Sequence, residues 1–226
     1  MINDDVIKKI GSYWDDYSEK FDEEHDTENI DVWKDYLASI LGEDKNKSVI
    51  DIGTGTGFLA NMISDLGYGS IGVDIAEKMM ALGVKHAKDK NLNTVFMYGN
   101  ALKLPFMDNT ADFIVNCRLI WTLVEPDEAI NEWARIIKPG GSIFCFNRMK
   151  ENVGMTKWKE DFYNDKEVAQ SLAIASAGMN ELKDLMERNG LVNVRINKLP
   201  ETSKSKEILE KDWYQPWFVL AADKPL

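Results

Sequence analysis

Three glycines alternate with threonines over Gly53-Thr54-Gly55-Thr56-Gly57, directly after the apolar pair Val49-Ile50 and the carboxylate Asp51. Glycines so placed let a strand reverse tightly into a helix while the backbone passes close to a ligand, because glycine tolerates positive φ and carries no Cβ. This is the chemistry of a nucleotide cradle. A dinucleotide fingerprint, G-x-G-x-x-G or G-x-G-x-x-A, asks for a third small residue at position 58, but Phe58 stands there and Gly57 comes one position early. A carboxylate at position 51 repels a pyrophosphate and welcomes a cationic group. The residues therefore favour a positively charged nucleoside over a dinucleotide. A second carboxylate, Asp74, closes the short apolar run from Ser70, where an acid suits ribose hydroxyls.

The segment Asp51-Ile52-Gly53-Thr54-Gly55-Thr56-Gly57 resembles the first motif of class I S-adenosylmethionine-dependent methyltransferases, whose cofactor is an adenosine bearing an aminoacyl sulfonium. The resemblance implies that Asp51, Gly53, Thr54, Gly55 and Gly57 form the cofactor turn, that Asp74 holds the ribose, and that Ile75 and Met79 flank the adenine. Gly99-Asn100-Ala101-Leu102-Lys103-Leu104-Pro105-Phe106 resembles the family's Gly-Asp-Ala-x-x-Leu-Pro-Phe segment, with Asn100 in place of the commoner Asp. An amide both donates to and accepts from an adenine edge. Asn116 matches a position that often lines the cofactor's methionine part, though an Asn capping a strand is the alternative.

These residues need a scaffold of alternating strands and helices. Strands are expected at 49–51, 70–74, 95–98, 112–117, 142–146, 191–199 and 213–222. Helices are expected over 58–66, over 126–138 with Pro126 in its first turn and Ile130, Trp133, Ile136 and Ile137 on one apolar side, and over 180–189. Lys138-Pro139-Gly140-Gly141 should break the second helix. Family resemblance implies an α/β, three-layer Rossmann-like methyltransferase fold with a central seven-stranded, mostly parallel sheet and an antiparallel last strand, in a single domain over 1–226.

Composition narrows the partners. The chain has 38 acidic against 27 basic residues, a net charge of −11, and no basic block interleaved with aromatics, which disfavours a DNA or RNA substrate. The N-terminal residues mix charges from the start and no long apolar run exists, so neither a signal peptide nor a membrane span is expected, and the protein reads as cytoplasmic. Two cysteines, Cys117 and Cys145, and two histidines offer no compact metal-ligand set.

Two segments vary within the resembled family. In the first, 1–30, Tyr13, Tyr17, Phe21 and His25 recur at four-residue spacing beside Trp14. Related enzymes place a similar Tyr-Trp-Asp segment as a lid over the cofactor. A ring face near a sulfonium gains roughly 0.5 to 2 kcal/mol, so Tyr13 and Tyr17 are cofactor candidates on equal terms with plain helix packing, whereas Phe21 reads as packing. The second segment, 148–178, holds Trp158 and an apolar helix-like run from Val168 to Ala177, and should roof an acceptor pocket near Trp121, with an ordinary surface helix pair as the rival; Arg118 suits an acceptor carboxylate or phosphate, or equally a structural ion pair. His25 is the histidine placed for proton transfer, since His86 lies in a charged, solvated run. Methyl transfer needs no universal base, because in-line placement of the acceptor about 3 Å from the methyl carbon supplies most of the catalysis. The expected activity is direct methyl transfer from S-adenosylmethionine to a small-molecule acceptor, by a monomer or homodimer. A non-catalytic cofactor-binding module and a nucleotide-dependent oxidoreductase remain alternatives.

Overall fold

The computed structural model describes residues 4–148, 163–204, 207 and 215–226. Seven strands form one sheet in the order β3-β2-β1-β4-β5-β7-β6. They are β1 (Ser48–Ile52), β2 (Gly69–Asp74), β3 (Val95–Tyr98), β4 (Ala111–Cys117), β5 (Ile137–Arg148), β6 (Val192–Lys198) and β7 (Trp217–Asp223). The first five pair in parallel, and β7 runs antiparallel to both β5 and β6. The helices are α1 (Asp4–Glu24), α2 (Ile30–Leu41), α3 (Phe58–Asp65), α4 (Glu77–Asp89), α5 (Pro126–Ile136), α6 (Lys166–Ser171) and α7 (Met179–Arg188).

Alternation along the buried strands divides the core into two layers. Ile50, Ile52, Ile114, Ile143 and Cys145 face α5 and α7, which contribute Ile130, Trp133, Leu182 and Leu185. Val49, Phe113, Val115, Phe144 and Phe146 face α2 and α3, which contribute Trp33, Leu37, Leu59 and Ile63. Helix α2, not anticipated from the sequence, starts where Asn29 Oδ1 accepts from Asp31 N at 3.2 Å and stops at Gly42, φ +79°.

Helix α5 ends at Ile136, and Ile137 opens β5 beside Ala111 instead of closing the helix's apolar side. The expected helix over 168–177 is the shorter α6, which ends at Ser171; Leu172, Ala175 and Ala177 are buried as irregular backbone. The last strand begins at Trp217, and 213 and 214 of its expected start lie outside the described residues. No helix among the described residues is long and apolar enough to cross a membrane.

Two anchors fix the periphery of the sheet's carboxyl edge. Glu28, 2% exposed just after α1, accepts from Trp33 Nε1 at 2.9 Å and Trp217 Nε1 at 3.1 Å and pairs with Arg148. Trp133, fully buried on α5, donates from Nε1 to the Ala101 carbonyl at 3.0 Å and so holds the loop after β3. Trp133→Phe should lower stability by about 1 kcal/mol through the lost bond, and Trp133→Ala by about 3 to 5 kcal/mol through the cavity, both read from urea unfolding.

Candidate functional site

The carboxyl ends of β1, β2 and β4 meet at the glycine turn. Gly53 N and Thr54 N both donate to Val73 O, at 2.8 and 3.0 Å, which folds the turn onto the end of β2. Asp74 then sets its height: Oδ2 accepts from Gly55 N at 2.7 Å and Oδ1 from Ala76 N at 2.9 Å. Gly53 has φ +67°, and a Cβ there would lie 2.7 Å from Leu119 Cδ1. Only glycine fits.

A hollow opens over this turn. Its floor is Gly53, Gly55 and Asp74; one wall is Ile75, Met79 and the run Gly99 to Leu102; the other is Cys117 to Leu119 with Thr122 to Val124. Helix α1 closes the top with Ile7, Ile10, Trp14 and Phe21. The loop wall is held in shape by Asn100, whose Oδ1 accepts from Leu102 N at 3.0 Å. Burial keeps the Cys117 thiol protonated by pushing its pKa up. Asp74 and Arg118 are the charged side chains among the described lining residues.

The structure thus brings Gly53, Gly55, Asp74, Ile75, Met79, Asn100, Ala101, Leu102 and Arg118 together. Other expected residues lie elsewhere. Asp51 sits beneath the turn, 1% exposed, where Oδ2 accepts from Thr54 Oγ1 at 2.7 Å and from Ala60 N at 3.1 Å. It therefore shapes the turn and the start of α3 without lining the hollow, and Thr54 faces it. Gly57, φ +79°, caps α3 and lines a second hollow with Phe58 and Asn61. Asn116 is buried, with Nδ2 donating to Cys145 Sγ at 3.1 Å.

Tyr13 stacks on Tyr17 at 5.7 Å and meets Tyr163 edge-on at 4.8 Å, outside the hollow's lining. The reason is helical drift: a four-residue step overshoots a turn by about 40°, so residues 13, 17, 21 and 25 cannot share one face. The face that covers the hollow follows mixed spacing, through Ile7, Ile10, Trp14 and Phe21. Phe21 and Trp14, read as packing or as a neighbour, are the ones that reach in. Trp121 packs against Trp14 at 6.3 Å and Tyr163 at 6.1 Å behind the wall. Trp158 lies outside the described residues.

His25 also misses the hollow. Its ring stacks on Phe58 at 4.0 Å, edge-on to Phe21 at 5.0 Å, and faces the second hollow. Burial, helped by the charges of Arg118, Arg148 and His86, lowers its pKa to about 3, so it is a poor proton acceptor. His86 is not simply solvated: Nε2 lies 3.1 Å from Asp22 Oδ2 on α1. Among the described residues no group of three or more His, Cys, Asp or Glu is placed to hold a metal ion.

Comparison with known proteins identifies this arrangement. Residues 50–145, from within β1 to within β5, match the family model of a methyltransferase domain. The chain is thus similar to S-adenosylmethionine-dependent methyltransferases over the segment that carries the glycine turn. It is 26% identical over 185 residues to a demethylmenaquinone methyltransferase of Bacillus pumilus, covering 72% of this chain and 78% of that one. A demethylmenaquinone methyltransferase of Halalkalibacterium halodurans is 27% identical over 137 residues, and the chain spans 56% of its length. The fold matches the Haemonchus contortus phosphoethanolamine N-methyltransferase 2 crystallised with S-adenosyl-L-methionine, with TM-score 0.62 and 15% identity over 84% of this chain and 51% of that one. The residues present fit the family's cofactor: the methyltransferase hollow has a floor without side chains at Gly53 and Gly55, a carboxylate at Asp74, and apolar walls at Ile75 and Met79.

The buried carboxylate under the turn gives this protein a pH signature. Desolvation raises Asp51 from the usual 3.8 to about 7, against the bonds from Thr54 and Ala60 and with help from the charge of Asp74. Between those two values the unfolded chain ionises at position 51 while the folded chain keeps the proton, so this group's contribution to stability falls as pH rises through the window. Asp51→Asn keeps an oxygen for Thr54 and Ala60. Its urea midpoint should vary less between about pH 5 and about pH 7.5 than that of the wild type.

Proposed function

We propose that this enzyme methylates an uncharged, largely apolar small molecule, taking the methyl group from S-adenosylmethionine in one direct displacement. The observation that carries the acceptor class is the make-up of the hollow. Beyond Asp74 and Arg118, its described walls are Ile7, Ile10, Trp14, Leu119, Leu123, Val124 and other neutral groups. A charged acceptor would lose its hydration there without compensation. The likeness to demethylmenaquinone methyltransferases points the same way, toward a ring system.

When bound, the cofactor supplies a methyl group on a sulfonium, already an activated leaving group. What the chain does is hold and dry. Asp74 would take the ribose hydroxyls, the Asn100 to Leu102 wall with Ile75 and Met79 the adenine, and Gly53 and Gly55 would let the backbone approach. Helix α1 serves as the cover that keeps water out, with Trp14 and Phe21 over the turn. With His25 turned away and held neutral, the reading relies on an acceptor nucleophile that needs no strong base. The net charge of −11 supports a small-molecule rather than a nucleic-acid acceptor, and we place the reaction in the cytoplasm.

The test is turnover of S-adenosylmethionine with a reduced demethylnaphthoquinone, phosphoethanolamine and sarcosine, followed by release of S-adenosylhomocysteine. Methylation of the ring compound alone is expected; turnover of the polar amines without it overturns the acceptor class. For the cofactor side, Asp74→Ala should weaken S-adenosylhomocysteine binding by about 1 kcal/mol or more in calorimetry, the worth of a charge-assisted hydrogen bond.

A further inference from the structure

Two charged residues at the α1 end of the hollow break local rules, and they touch each other. Arg118, directly after β4, holds a left-handed φ of +61°, a conformation that a long side chain rarely adopts. Its backbone N donates to Phe146 O at 2.8 Å, which pins the residue there. Glu24 is the last residue of α1, whose final turn carries no basic side chain. A carboxylate at a helix carboxyl terminus opposes the helix dipole. Arg118 Nη1 reaches Glu24 Oε2 at 2.8 Å, with the guanidinium 4.6 Å from the centre of the Phe21 ring. The two side chains are 22% and 38% exposed, and an ion pair that open to water gives little in return for two unfavourable placements.

The pair makes sense as one half of a charge match. Arg118 and Phe21 line the same hollow as Gly53, Gly55, Ile75 and Asn100, and Glu24, which does not itself line it, reaches its edge through the bond to Arg118. The cofactor of this family is an adenosine joined through sulfur to an amino acid, so its far end carries one carboxylate and one ammonium. We propose that Arg118 binds that carboxylate and Glu24 that ammonium, the zwitterion inserting into the ion pair charge for charge. Asp51, the carboxylate expected to meet a cation, is committed beneath the turn and does not line the hollow. Phe21 backs one face of the guanidinium and leaves its edges for a planar, two-point grip on a carboxylate. Tyr17 Oη donates to Glu24 Oε1 at 2.9 Å, which steadies the carboxylate and leaves Oε2, the oxygen now on Arg118, to accept from the ammonium. The assignment also removes Arg118 from the acceptor's side, consistent with an uncharged acceptor.

This inference rests on the cofactor assignment, and calorimetry with three ligands separates the two. S-adenosylhomocysteine carries both charges, its decarboxylated form S-adenosyl-3-thiopropylamine keeps only the ammonium, and 5′-methylthioadenosine has neither. Asn tolerates left-handed backbone, so Arg118→Asn keeps the turn. It should weaken S-adenosylhomocysteine at least tenfold and leave 5′-methylthioadenosine and the decarboxylated ligand within about twofold. Glu24→Gln should weaken the decarboxylated ligand at least fivefold and again spare 5′-methylthioadenosine. If Arg118→Asn weakens all three ligands alike, or none, the pair only holds α1 in place and the proposal fails. A wild-type chain that binds no adenosyl ligand overturns the cofactor fit instead.

Discussion

Two carboxylates at one glycine turn, Asp51 buried and Asp74 half-buried, set the geometry on which the site depends. Asp74 receives the Gly55 and Ala76 amides, and Asp51 receives the Thr54 hydroxyl and the Ala60 amide. Between them they fix the turn's height over β2 and the first turn of α3. Both acids are raised by desolvation, so the fold accepts an electrostatic cost at each strand end to obtain a backbone that is held from below and bare above. Glycine alone could make a turn. The carboxylates make it a particular turn.

Around that turn the hollow divides by polarity. Its described walls are almost wholly neutral, supplied by the end of β4, the loop after β3 and the inner face of α1. Charge is confined to Asp74 and Arg118, each tied to a local partner. An apolar interior strengthens those few electrostatic contacts by excluding water, and it leaves the reacting centre without competing nucleophiles. His25 is built into a wall of aromatic rings, stacked on Phe58.

Legibility in the sequence followed the range of the interactions. Gly53, Gly55, Asp74 and the Asn100 to Leu102 segment were readable because backbone conformation and a few neighbouring residues define them. Strand positions were readable for the same reason, since alternation and apolar runs are local. The inner face of α1 was not, because regular spacing of Tyr13, Tyr17, Phe21 and His25 suggested a shared face that 3.6-residue geometry disperses. Asp51 lies on the strand face that carries Val49 toward α2 and α3, and only the strand register, which short-range patterning does not show, turns its carboxylate beneath the turn. The pairing of Glu24 with Arg118 spans 94 positions and left no local signal beyond a carboxylate at the wrong end of a helix.

Glu28 has a consequence for how α1 is kept over the hollow. Its buried carboxylate ties the chain just after α1 to Trp33, Arg148 and Trp217, while Asn29 N donates to Thr202 O and Lys204 N to Thr27 O. A helix rooted in this way is held within reach of the turn by its own chain, so its inner face is at high effective concentration there.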